Sequence, residues 1–481
     1  MAGARAPDAP PRAVESGRTA TGLALVLAAA VLAAPWTGHV DDTDAQLYQV
    51  VARHMVEDGS WLDLRYVPGI HPHFREHLPF GLWPWAAVIR VAGEAPLPYL
   101  AGAFTLATLL LVAWVGRRLG GWTMAAVAVL VLGTTESFII YGGRARLDPL
   151  LLLLVTGSVA PPLAWPPAAR RWLLGALLAA LAALVKGPFG LIPFLAAAAA
   201  RALELRSVRW LLLGGALTLL AGAPVLAFLL ADRTWGTGTW WRGYVLDQLL
   251  ASATGGRGDG LEPPWFPFAT VATRFWPGLP LVALGLLRAA GLPRSLDQAQ
   301  DPTPTVARRL ALSCLLVLAG LALPERKVWH HALVAYTGLG LLAGAGAAPL
   351  LRAWLRSGAK RRAAVAVLSV LAAAAVGFDL LGGGSALWKP CVPADEFRSE
   401  FDRLVPGEPV LVVSEPPHWR IAAGLAAERR LEPWMERRLV AGADHGARLA
   451  LVESRLMPPV PLAGPWREVG AARGWVLLRR D

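Results

Sequence analysis

Apolar segments recur along the whole chain, at about 22–38, 98–116, 121–141, 149–165, 172–185, 187–200, 209–231, 268–288, 309–323, 328–348 and 363–382. No other feature restricts the fold as strongly. A backbone in lipid must satisfy its N–H and C=O groups within its own segment, so runs of this kind become membrane helices. Several are shorter than the roughly 20 residues that span hydrocarbon, and their ends are set only to within a few residues. The predicted class is therefore an α-helical polytopic membrane protein with about eleven transmembrane helices. Composition agrees: of 481 residues, 55% are hydrophobic and 17% charged, more apolar than a soluble domain requires.

The net charge is +12, but the cations sit in short clusters between the apolar runs. That is the positive-inside pattern of a membrane protein, and it argues against a nucleic-acid surface. With the basic N-terminus (Arg5, Arg12, Arg18) inside and the sides alternating, five successive inside loops each hold a basic cluster. They are Arg117–Arg118, Arg170–Arg171, Arg201 to Arg209, Arg288 to Arg309, and Arg352 to Arg362. The pattern holds only if FGLWPWAAVIRVAG (80–93) does not cross. It is short, rich in Trp and Pro, carries Arg90, and reads as an interfacial helix.

Three regions follow: a cytoplasmic tail at 1–21, a membrane domain at 22–383 with long outer loops at 39–97 and 232–267, and an outer domain at 384–481. The run after Gly22 offers small residues as a signal peptide would, but the many helices behind it favour a first membrane helix. In the last region PVLVV (409–413), ARLALVES (447–454) and WVLLRR (475–480) read as strands and HWRIAAGLAAERRL (418–431) as an amphipathic helix. This is the pattern of a small periplasmic α/β domain. The two cysteines, Cys314 and Cys391, imply no disulfide framework.

On this topology the unusual polar residues all fall at outer helix ends: Asp41, Asp42 and Asp44; Glu76 and His77; Arg144, Arg146 and Asp148; Lys186; Glu325, Arg326, Lys327, His330 and His331. Charges near apolar helix ends are costly and are usually paired or functional. Each also has a plain reading. Asp44 suits an N-cap of the helical stretch 44–58, Arg146 and Asp148 a structural ion pair, and Lys186, Arg326 and Lys327 interfacial cations. His71, His73 and His77 with Glu76 have no established metal-site spacing, so no metal site is assigned, although a divalent ion is left open. As a set the residues suit one task. Cations at the membrane surface would hold a phosphate whose lipid tail stays in the bilayer, while a carboxylate takes a proton from an acceptor.

DAQLYQVVARHM (44–55), GSWL (59–62), FREHLP (74–79), RLDPL (146–150), VKGPFGLIP (185–193) and, more loosely, RKVWHHALVAY (326–336) resemble, in order and spacing, motifs of the GT-C integral-membrane glycosyltransferases. The likeness is to the bacterial aminoarabinose transferases of lipid A and to the protein O-mannosyltransferase family, and it covers about residues 20 to 350. It implies a GT-C fold and transfer of a sugar from polyprenyl phosphate, undecaprenyl phosphate in bacteria, to a lipid, glycan or protein at the outer face of the inner membrane. By resemblance Asp44 is the catalytic base and Asp148 supports the base or acceptor. Lys186, Arg326, Lys327, Arg146 and His77 would bind donor phosphate. Asp42, Tyr48, Glu76, His330 and His331 are further candidates. Two positions depart from the pattern. Ala45 stands where the family has Glu, which argues against a protein mannosyltransferase. His77 stands where the family has Lys, and phosphate binding there would need a protonated imidazole.

A flippase for lipid-linked sugars and a catalytically inactive relative are the competing classes. A transporter would place charges near the midplane and show internal repeats, whereas here the polar residues gather at one face. The sugar and the acceptor are not legible, because different polyprenyl donors present the same phosphate and lipid. The topology has a direct test. In intact spheroplasts Gly59→Cys and Ser414→Cys should react with a membrane-impermeant thiol reagent, and Ser207→Cys should not. Labelling at position 207 alone would reverse the side assignment.

Overall fold

The computed structural model describes residues 22, 43–66, 73–94, 96–258, 260–276, 278–292, 303–355, 400, 410–413, 439–441, 447–453, 465–472 and 475–480. The basic tail, nearly all of the run at 22–38, Asp41, Asp42, His71, the run at 363–382, Cys391 and the stretch 418–431 lie outside these residues.

The helices are α1 (Thr43–Glu57), α2 (Trp83–Ala92), α3 (Leu97–Gly120), α4 (Trp122–Gly133), α5 (Glu136–Gly142), α6 (Asp148–Ala164), α7 (Ala169–Lys186), α8 (Pro188–Glu204), α9 (Val208–Trp235), α10 (Phe266–Arg274), α11 (Leu279–Ala289), α12 (Thr303–Ala322) and α13 (Leu333–Leu355). Short 3₁₀ turns at Pro79–Gly81 and Trp329–Ala332 precede α2 and α13, and Trp241–Leu250 forms a π-helix. Among the described residues four stretches are long and apolar enough to cross a membrane: Leu97–Gly120, Val208–Trp235, Pro304–Ala322 and Trp329–Arg352. The piece expected at the interface, α2, has 10 residues. At 1.5 Å per residue it reaches only about half of a hydrocarbon core of roughly 30 Å.

Two runs that read as single helices are broken. The run at 121–141 splits at Thr134–Thr135, where both hydroxyls donate to Val131 O or Leu130 O and the chain turns into α5. The run at 268–288 splits around 275–278 between α10 and α11. Hydropathy alone does not register such breaks, because side-chain hydroxyls satisfy the freed carbonyls inside an apolar setting.

The bundle closes through small residues. Helix α13 packs on α4, α11 and α12, while α6 packs on α3, α7 and α8. At these crossings a Cβ has no room. One added at Gly346 would lie 2.4 Å from Gly285 N, and one at Gly190 would lie 2.3 Å from Ala182 C and Ala183 N. Close backbone approach through Gly and Ala is how helices associate where lipid removes the hydrophobic drive. Trp172, Phe194 and Leu217 fill a second core between α7, α8 and α9.

The bundle has two chemically distinct ends. At one end the basic clusters gather: Arg309 holds Glu204 at 2.7 Å and also reaches Leu163 O, Arg308 reaches Ala289 O at 3.2 Å, and Arg352 reaches Gly120 O at 3.4 Å. Asp148 and Lys186 stand at the opposite ends of the same helices, at the start of α6 and the end of α7.

Towards the C-terminus five strands, β1 (Val410–Val413), β2 (Leu439–Ala441), β3 (Leu449–Glu453), β4 (Trp466–Ala472) and β5 (Trp475–Arg480), form a sheet in the order β2-β1-β3-β5-β4. β1 is parallel to β2 and β3, and β5 is antiparallel to β3 and β4. Three of the strands lie where the apolar runs put them; β2 and β4 carry no comparable signal in the sequence.

Packing at Gly190 can be tested directly. Gly190→Val should destabilise the purified protein by about 1–3 kcal/mol or more, because the side chain meets backbone on α7. Gly215→Ala, with nothing within 4 Å, should be near neutral. Thermal unfolding in detergent compares them.

Candidate functional site

Of the polar residues singled out in the sequence, Asp44, Arg146, Asp148 and Lys186 come together at the non-basic end of the bundle. Asp148 is the first residue of α6, and its side chain is only 3% exposed. A buried carboxylate must be paired. Asp148 Oδ2 accepts from Arg146 Nε at 3.2 Å, and Oδ1 accepts from Lys186 Nζ at 2.8 Å. Arg146 then reaches with Nη2 to Asp44 Oδ2. The result is a chain of alternating charge, Asp44–Arg146–Asp148–Lys186, drawn from three separate parts of the sequence. Asp44 differs from Asp148 in one respect: its side chain is 31% exposed.

The surroundings fix each member. The turn carrying Arg146 is held by Trp85 Nε1 donating to Ala145 O at 3.0 Å and by Thr105 Oγ1 donating to Gly142 O at 2.8 Å. The guanidinium lies over the ring of Tyr141, 4.3 Å from its centroid. Lys186 ends α7 because Gly187 follows at φ +57°, a left-handed conformation that favours glycine. Helix α1, which carries Asp44, is tied at its far end by Arg53 to Glu94 at 3.1 Å, with Gln49 donating to the same carboxylate.

The FREHLP segment lies across the Lys186 turn. A Cβ at Gly81 would lie 3.2 Å from Val185 O. His77 Nε2 shares a hydrogen bond of 2.8 Å with Tyr48 Oη, and its ring packs edge-on against Tyr48. Burial, and then the charge of Lys186, lowers its pKa to about 3, so the imidazole is neutral at physiological pH. A protonated His77 is thus not what this environment favours. The ring remains available as a hydrogen-bonding group. The Tyr48 phenol is pushed well above its ordinary value, by burial first and then by Asp44. Glu76 is raised by burial, against the opposing charge of Arg257, whose Nη2 lies 3.5 Å from Oε1.

His330 and His331 stand in the 3₁₀ turn that opens the last described membrane helix. His330 packs against Tyr141 at 5.8 Å and His331 against Phe189 at 4.2 Å. Lys327 is buried and spends its ammonium on backbone carbonyls, Glu262 O at 2.7 Å and Glu325 O at 3.4 Å. Arg326 forms an isolated bridge with Leu261, next to the loop that carries Arg257. Asp42 lies outside the described residues. Among those residues, no three His, Cys, Asp or Glu are grouped as a metal ion would need.

Three residues near the site carried no signal in the sequence. Arg257 sits in a Gly-rich stretch of the loop 232–267 and belongs to none of the recognised motifs. Tyr141 ends the apolar run 121–141 and looks like core. Arg75 stands beside the recognised Glu76, and it clamps Asp63, Leu64 O at 3.0 Å and Thr239 Oγ1 at 3.0 Å under the ring of Trp240.

No protein-family model matches the sequence, and no curated protein matches it significantly. Solved structures do. ArnT from Cupriavidus metallidurans bound to undecaprenyl phosphate superposes with a TM-score of 0.67 at 17% identity, over 96% of this chain and 97% of that one. The same protein in the apo state gives 0.70 at 15% identity, over 96% and 98%. The Archaeoglobus fulgidus oligosaccharyltransferase in the apo form gives 0.50 at 13% identity, over 90% of this chain and 70% of that one. The chain has the fold of the GT-C glycosyltransferases.

The electrostatics predict a pH dependence. His77 has a folded pKa of about 3, below its ordinary 6.5, so the unfolded chain binds the proton more readily. This contribution to stability is complete above about pH 6.5 and is lost as pH falls towards 3. The melting temperature of the wild type should decline through that window, and His77→Gln should decline less steeply.

Proposed function

We propose that the chain is a glycosyltransferase that moves a sugar from a polyprenyl-phosphate donor to a lipid, glycan or protein acceptor at the outer face of the cytoplasmic membrane. One observation carries this reading: a partly exposed carboxylate, Asp44, is aligned by Arg146, and the Asp148 that anchors Arg146 also anchors Lys186. Base and phosphate-binding cations are thereby held in one rigid array. The GT-C fold supports the same reading, as does the ArnT structure that holds undecaprenyl phosphate.

In the proposed reaction the acceptor O–H approaches Asp44. As its oxygen bonds to the anomeric carbon, the proton passes to the Asp44 carboxylate. The bond from the anomeric carbon to the phosphate oxygen breaks, and the electron pair leaves with polyprenyl phosphate. Lys186 and Arg146 stabilise the growing charge on that phosphate. Asp148, with both oxygens engaged, positions the two cations and does not touch the acceptor. Arg326 and Arg257 extend the positive field from the loop side. His77 serves as a neutral hydrogen-bonding group, and Lys327 holds the 324–328 segment in place.

The N-cap role expected for Asp44 is not what the fold shows, since Asp44 is the second residue of α1, inside its first turn. Asp44→Asn keeps the shape of the side chain and an oxygen for Arg146, and so separates the catalytic reading from a structural one. The variant should fold normally and bind donor, yet transfer sugar at least about a hundredfold more slowly, since the amide cannot accept the proton. Sugar transfer and release of polyprenyl phosphate are measured with purified protein in nanodiscs. Near wild-type transfer would reduce Asp44 to a structural partner of Arg146 in the first turn of α1. Movement of the lipid-linked sugar without release of polyprenyl phosphate would favour a transporter.

A further inference from the structure

Most buried hydroxyls in this bundle have partners; among the described residues Ser137 Oγ and Thr156 Oγ1 do not, and a further case lies beside the site. Tyr48 is hydrogen-bonded to His77. Tyr244 is only 2% exposed, and among the described residues its hydroxyl has no hydrogen-bond partner. A buried donor left unpaired is costly, and in native proteins it calls for an explanation. Its position supplies one. A Cβ built on Gly187 would lie 2.1 Å from Tyr244 Oη, so the hydroxyl rests on the turn between Lys186 and Pro188. That turn is the start of α8, with Gly187 as N-cap and Pro188 at the first position. The positive end of a 17-residue helix, the neighbouring Lys186 and an O–H without an acceptor therefore meet at one point.

Tyr244 is also held there. It belongs to the π-helix Trp241–Leu250. Gly243, one residue before it, leaves no space for a Cβ because Arg75 Cβ would lie 2.6 Å away. Trp240 covers the Arg75 guanidinium at 4.4 Å and donates to Leu62 O at 3.1 Å.

We propose that the Tyr244 hydroxyl is a further binding group for the phosphate of the lipid donor, delivered by the second outer loop onto the Lys186–Gly187 turn. The proposal deepens the glycosyltransferase reading and rests on it. The phosphate oxygens would supply an acceptor that none of the described residues provides, and the contact would strengthen as negative charge collects on the departing phosphate.

The test compares undecaprenyl phosphate with undecaprenol, which lacks the phosphate, in equilibrium binding to nanodisc-embedded wild type and Tyr244→Phe. Phe keeps the ring and removes only the hydroxyl. Affinity for undecaprenyl phosphate should fall about tenfold, and affinity for undecaprenol should be unchanged. The ligand-free melting temperature should stay level or rise, because a buried unpaired group has been removed. Unaltered phosphate affinity would overturn the proposal. So would an equal loss for both lipids, or a lower melting temperature, since each would make the hydroxyl structural. Wild-type protein that does not distinguish phosphate from alcohol would remove the donor reading itself, an outcome separable from failure at Tyr244.

Discussion

A single carboxylate, Asp148, organises the polar end of this bundle. Two charges taken out of water cost several kcal/mol each unless they are paired with good geometry. Asp148 meets that demand by accepting from Arg146 with one oxygen and from Lys186 with the other. It thereby joins the start of α6, the 144–147 turn and the end of α7. Arg146 passes the constraint to Asp44 and so to α1. Loss of either cation would leave a buried charge uncompensated, so the array holds together as a unit.

The second constraint is close packing of backbone. The Lys186–Gly187–Pro188 turn works because residue 187 adopts φ +57° and because Tyr244 occupies the space where a side chain would stand. Gly81, Gly190 and Gly243 repeat this at neighbouring contacts. The FREHLP segment, the hairpin of α7 and α8, and the π-helix thus approach one another closely at glycines, most tightly at Gly187 and Gly190.

Burial gives the ionisable groups around this array different roles. Tyr48 and His77 are both kept neutral and bonded to each other, so they shape the floor of the site without adding charge. Glu76 pairs with Arg257, which links the 232–267 segment to the FREHLP segment. The fixed cations nearest the proposed chemistry are then Arg146 and Lys186, in line with a task that needs phosphate held and one exposed carboxylate kept beside it.

The sequence by itself determined the class of the protein and the end of the bundle at which its unusual charges gather. Hydrophobic runs follow from the need to satisfy backbone in lipid, and basic clusters mark one end, so both are local signals that need no tertiary structure. Asp44, Arg146, Asp148 and Lys186 stood out for the same reason: charges at the tips of apolar helices are rare enough to be noticed singly. Which of them touch was decided only by the fold. Asp44 and Arg146 are far apart in sequence, and nothing in either motif shows that Asp148 is sealed while Asp44 remains partly open. Tertiary packing also settled the charge of His77, since a ring enclosed beside Lys186 cannot keep a proton that the free side chain would hold at pH 6. The breaks at Thr134–Thr135 and near Gly278, the binding of Lys327 to carbonyls, and the places of Arg257 and Tyr244 come from contacts between distant segments, and no local pattern of residues encodes those.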